Sequence, residues 1–242
     1  MPNVGSPCWK EKMIRGEWSS PNARRVTVAE YAHRWVAERP LQPRTRELCE
    51  SQLRNHIDPY LGEKTLDKLT PQAVRSWRQQ LLNEGRSVTV AAKSYRLLRA
   101  VLNTALKEDQ LIAQNPCRIP GYDKETSTER SVATIRQVFA LSQLIERRYA
   151  ALVLLAAFTG LRWGELVALR RSDLDLERGT VTVSRKFAEL QDGRRVTGPP
   201  KSTAGVRAVA LPAMIVDAMK AHLVEFPAER SELVFRGRWV RR

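Results

Sequence analysis

A mainly helical fold with a small antiparallel β-sheet in its C-terminal half is what the sequence predicts, and three observations predict it. Up to about residue 112, four segments carry apolar residues at helical spacing, each opened by a cap or closed by a breaker. Asn115-Pro116 and Pro120-Gly121, followed by the polar run Asp123 to Arg130, have the punctuation of an interdomain linker. Beyond Leu169 the period shortens to two over Thr180-Val181-Thr182-Val183 and again over Val206 to Leu211, which reads as strands. The expected divisions are an irregular arm over 1–25, a helical domain over 26–112, a linker over 113–132 and an α+β domain over 133–242.

Taken in order, residues 1–25 mix Pro2, Gly5, Pro7, Gly16, Ser19, Ser20 and Pro21 with two tryptophans, and no periodic element is expected there. Thr27-Val28-Ala29-Glu30 is a capping box, after which Val28, Ala32, Trp35 and Val36 form the first apolar face. A second helix is expected from Pro43–Thr45, with Cys49, Leu53, His56 and Ile57 inward and Pro59 and Gly62 as its stop. His56 reads as a core or boundary histidine. Thr70-Pro71 opens a third helix with Val74, Trp77 and Leu81 buried, closed by Gly85. Ser87 caps a fourth, reaching about Asp109, with Val90, Ser94, Leu97, Leu98, Val101, Leu102 and Ala105 inward. Four helices with short joints predict a compact bundle.

In the second half, Thr134 caps a helix bearing Val138, Leu141 and Ile145. The apolar run Ala151 to Phe158 then predicts a buried helix, too short to span a membrane. Asp192-Gly193 is a hairpin-turn signal, and Pro212 opens a last helix with Ile215, Val216, Met219 and Leu223 inward.

At 242 residues, 43% of them hydrophobic, the chain is long enough for two domains with a core in each. It contains neither a transmembrane run nor a signal-peptide hydrophobic region, so a cytoplasmic protein is expected. Cys8, Cys49 and Cys117 are far apart and lack histidine neighbours, which excludes a disulfide framework or zinc motif as the organising feature. The net charge of +15, with pI near 10.4, is spread along the chain and points to a polyanion partner, with double-stranded DNA first. No small-molecule fingerprint, phosphate-binding glycine loop or metal-ligand set is present, so neither cofactor nor metal is expected. On the fourth helix Arg86, Lys93, Arg96 and Arg99 recur on a basic face, which is either a solvated surface or a phosphate-contacting one.

The stretch Thr159-Gly160-Leu161-Arg162-Trp163-Gly164-Glu165-Leu166 breaks an apolar helix at glycine and offers an arginine at the boundary of the next. Such an arginine is held on rigid backbone and suits a phosphate. By spacing alone it reads first as an ionic staple to Glu165, three residues on.

Together with the four-helix domain, the linker and the segment Pro200-Lys201-Ser202-Thr203-Ala204-Gly205-Val206-Arg207, this stretch resembles the tyrosine recombinases of the phage-integrase type over residues 26 to 235. The resemblance implies a SAM-like core-binding domain followed by part of an α+β catalytic domain. It implies Arg162 as the arginine that grips the scissile phosphate, Glu165 as its support and Lys201 as the proton donor to the leaving 5′-hydroxyl. It also implies self-association on DNA. The family keeps a His-x-x-Arg box and its tyrosine nucleophile C-terminal to the lysine hairpin, whereas here Tyr31, Tyr60, Tyr95, Tyr122 and Tyr149 all precede Arg162. The expectation is therefore a truncated recombinase that binds DNA and needs a partner to cleave it; the alternative is a non-enzymatic regulator competing for recombination sites.

Overall fold

A computed structural model describes residues 25–125, 131–200 and 202–236, and the chain divides into two compact units, Met1–Thr128 and Glu129–Arg242. Of the arm expected over residues 1–25, residues 1–24 lie outside the described residues, as do 126–130, Lys201 and 237–242.

The N-terminal unit is built on helices α1 (Val28–Glu38), α2 (Pro43–Gln52), α3 (Asp58–Leu61), α4 (Pro71–Asn83) and α5 (Val88–Lys107). Local chemistry starts them as the sequence predicts. Thr27 and Glu30 exchange hydrogen bonds across the first turn of α1, at 2.9 and 3.2 Å. The Thr70 and Ser87 hydroxyls accept from the backbone N–H groups of Ala73 and Val90.

Pro59 does not stop the second helix. It has no N–H to offer and its ring crowds the preceding turn, and the chain meets this with a wider π turn over Leu53–Ile57, then continues into α3. The Asp58 N–H closes that turn on the Leu53 carbonyl, and Leu53, Ile57 and Leu61 all stay buried. They meet Val28, Tyr31 and Val36 of α1, Val74, Trp77 and Leu81 of α4, and Leu98, Val101 and Leu102 of α5 in one core. On α5, Ala91, Ala92 and Tyr95 are buried, whereas Val90 and Leu97 lie at the boundary.

The segment from 113, expected as linker, packs on this unit as far as Tyr122. Cys117 is buried, which raises its thiol pKa to about 12. The Asn115 side chain donates to the Arg99 carbonyl at 3.0 Å and accepts from the Cys117 N–H at 2.8 Å. Proline and asparagine mark a turn whether or not the residues after it pack, and here they do.

The second unit contains α6 (Ile135–Leu144), α7 (Arg147–Thr159), α8 (Trp163–Leu166) and α9 (Ala213–Glu225). A three-stranded antiparallel sheet runs β1 (Leu174–Asp175), β2 (Thr180–Val183), β5 (Arg207–Ala210), with Val183 opposite Arg207 and Val181 opposite Val209. Strands β3 (Lys186–Glu189) and β4 (Arg195–Gly198) form a separate ribbon turned at Asp192-Gly193, where Gly193 has φ +80°.

Two expectations are corrected in this unit. Leu141 of α6 is exposed, as are Ile135 and Leu144, and Ser142 is the residue of this helix that is buried. Only Ala151, Leu152 and Leu155 of the apolar run on α7 are buried. Spacing reveals an apolar face, not what covers it. On α9, Ile215 and Met219 point inward as expected, joined by His222, which lies between the rings of Phe226 and Phe235 near the Val234 carbonyl. Leu233 bridges Arg170, and Val234 and Phe235 complete the core.

Candidate active site

Helix α7 ends at Gly160, whose φ of +63° and ψ of +18° place it in the left-handed region that a glycine adopts without strain. The chain then turns through Leu161 into extended backbone at Arg162, the cap residue of α8. The two readings of Arg162 prove compatible. Its Nη1 donates to Glu165 Oε1 at 3.1 Å and its backbone N–H to Oε2 at 3.0 Å, so the staple exists. Yet the side chain of Arg162 is 78% exposed while that of Glu165 is 3% exposed. The carboxylate is sunk beneath a guanidinium that still faces outward.

A residue that sequence reasoning missed completes the arrangement. Arg207, at the start of β5, donates to Glu165 through Nη2 at 3.0 Å and Nη1 at 3.4 Å. Burial alone would raise the pKa of Glu165, but the hydrogen bonds from Arg207 and from the backbone and side chain of Arg162 outweigh it and bring it from 4.5 to about 2. The cluster is two cations on one ionised carboxylate, leaving one net positive charge directed at solvent. The alternation over Val206 to Leu211 signalled the strand; nothing in spacing links position 207 to 165.

Two glycines bring the backbone close to this cluster. A Cβ on Gly164 would meet the carbonyl oxygen of Phe187 at 2.5 Å, so α8 and β3 touch main chain to main chain. A Cβ on Gly205 would overlap the ring of Pro200, so these two residues lie in close contact ahead of β5. In the same unit, Arg185 pairs with Asp173 at 2.5 Å, and Asp173 also accepts the Arg170 N–H at 2.8 Å. Lys201 lies outside the described residues.

In the helical unit the basic face of α5 is real but already engaged. Glu125 pairs with Arg96 and, at 3.9 Å, with Lys93; Asp123 pairs with Arg99 at 3.3 Å. Arg86 is exposed in the turn before α5. Sequence reasoning placed Asp123 and Glu125 in a linker and so did not foresee their pairing. Among the described residues, no helix is long and apolar enough to cross a membrane, and no group of His, Cys, Asp or Glu is arranged to hold a metal ion.

Residues 27–82 match the family described as the phage integrase N-terminal SAM-like domain, and relatives that match most of the chain are named integrases or tyrosine recombinases. Among its relatives, the putative prophage phiRv2 integrase of Mycobacterium tuberculosis is 39% identical over 199 residues, covering 80% of this chain and 51% of that one. The integrase of Mycobacterium phage L5 is 33% identical over 219 residues, 89% of this chain and 57% of that protein. The chain thus spans about half the length of the curated relatives it matches. In fold, it is similar to the Tn1549 transposon integrase solved with transposon right end DNA, with a TM-score of 0.77 and 21% identity over 88% of this chain and 72% of that one.

Proposed function

We propose that this chain forms the core-binding unit and part of the catalytic unit of a site-specific DNA integrase, acting on double-stranded DNA in the cytoplasm and self-associating on its site. The observation that carries the reading is the Arg162–Glu165–Arg207 cluster: a buried, fully ionised carboxylate fixing an exposed guanidinium. Arg162 grips the scissile phosphate, where a planar fork matches two non-bridging oxygens and offsets the charge that grows as phosphorus becomes pentavalent. Glu165 holds that fork in place. As the bond to the 5′-oxygen breaks, Lys201 gives that oxygen a proton. No residue of this chain is assigned as the nucleophile that forms the new bond to phosphorus.

The net charge of +15 supports a DNA partner throughout, with Arg86, Lys93, Arg96 and Arg99 on the helical unit as phosphate contacts. Binding of a labelled duplex across a salt series tests the reading. Arg162→Ala is expected to lower the slope of log affinity against log salt by about one, the loss of one phosphate contact. An unchanged slope with retained binding would favour the non-enzymatic regulator instead.

The engaged face of α5 makes its own prediction. Phosphate must displace Asp123 and Glu125 from Lys93, Arg96 and Arg99, and exposed pairs of this kind are each worth well under about 1 kcal/mol. Asp123→Asn combined with Glu125→Gln is therefore expected to raise duplex affinity about fivefold at moderate salt. Equal affinity in a competition gel would remove α5 from the DNA-contacting surface.

A further inference from the structure

We infer that Arg207 is a positioning residue for Arg162, sharing the Glu165 carboxylate so that the Arg162 guanidinium remains free to bind phosphate. The inference deepens the reading given above and rests on Arg162 being the residue that grips DNA.

A carboxylate offers about four acceptor sites, and on Glu165 all are taken: the backbone N–H and Nη1 of Arg162, and both terminal nitrogens of Arg207. The side chain is almost wholly removed from water, so its charge acts on these partners rather than on solvent. With Arg162 alone against it, the full negative charge would hold the exposed guanidinium inward and compete with phosphate for it. Arg207 takes half of that attraction in a forked geometry, which lysine does not reproduce.

Arg207 is itself fixed. Its Nη1 donates to the Gly205 carbonyl at 3.1 Å, and Gly205 is pressed against Pro200. Backbone pairing of Arg207 with Val183 sets the strand beneath. Arg207 therefore joins three elements: α8 through Glu165, the turn Ser202–Gly205 through the Gly205 carbonyl, and, by backbone pairing, the central strand β2.

The experiment is a duplex-binding salt series on the full chain carrying Arg162→Ala, Arg207→Gln, both together, or Arg207→Lys, with the melting temperature of each recorded. Arg207→Gln is expected to bind about fivefold more weakly, with a salt slope lower by about one, like Arg162→Ala. The double variant is expected to be no weaker than Arg162→Ala, because Arg207 acts through Arg162. Arg207→Lys, which keeps a cation beside Glu165 but not the fork, is expected to recover only part of the affinity. Full-strength binding by folded Arg207→Gln, or losses that add in the double variant, would overturn the inference. So would affinity losses that follow melting temperature across the set. If Arg162→Ala itself binds with an unchanged slope, the failure lies in the parent reading of Arg162 rather than in the role of Arg207.

Discussion

A chain carrying Glu165→Ala is expected to unfold its C-terminal unit about 3 kcal/mol more easily at neutral pH, because the substitution leaves two arginines facing each other over a buried gap. Arg162 contributes little of this through its side chain, which is mostly in water. The larger parts are the forked bonds from Arg207 and the backbone N–H of Arg162. The same magnitude follows from protonation. A carboxylate held at about 2 rather than 4.5 links about 3 kcal/mol of stability to its ionised form. Since the folded value is the lower one, that stability is complete above about pH 4.5 and is lost as pH falls toward about 2. Amide exchange at Leu166 and Val209, followed for both chains across that window, checks both statements. Parallel acid profiles for the unaltered chain and Glu165→Ala would exclude the carboxylate as the titrating group.

Trp77→Ala is expected to have the largest effect on the helical unit, costing about 4 kcal/mol, the usual cost of emptying an aromatic site in a packed core. The indole, carried on α4, is buried in the core of the helical unit, and its N–H donates to the His56 carbonyl at 2.6 Å. That carbonyl belongs to the π turn created by Pro59, so Trp77 clamps the irregular stretch to the bundle. Against a typical total of about 5–15 kcal/mol, the loss leaves the unit marginal. Trp77→Phe refills most of the space but lacks the donor, and is expected to cost about 1–2 kcal/mol more than packing alone requires. Urea melts of the two variants, read by far-UV circular dichroism, separate the two contributions. A Trp77→Ala chain within about 1 kcal/mol of the unaltered one would mean that the surrounding core collapses into the vacated site.

What was legible in the sequence was what acts over three or four residues. The Thr27–Glu30 box, the Thr70 and Ser87 caps and the Asp192-Gly193 turn are local arrangements, and each forms as read. Arg162 at a helix boundary with Glu165 beneath it is legible for the same reason. Arg207 was not, because its partner is 42 residues away and only the β2–β5 register brings them together. The carboxylates over α5 were hidden likewise, since composition marks 113–125 as a turn-rich stretch and says nothing of where it folds back. Pro59 misled because a proline stops most helices, and a π turn that absorbs one leaves no periodic trace.

The touching of Gly164 and the Phe187 carbonyl reaches beyond the two residues involved. Main chain against main chain fixes where the β3–β4 ribbon starts without consulting any side chain on it. The ribbon's tip, Leu190 to Arg194, thereby plays no part in placing α8 and can vary in sequence or length without moving it. Gly164 has no such freedom, and relatives that differ at the tip are expected to keep a glycine here.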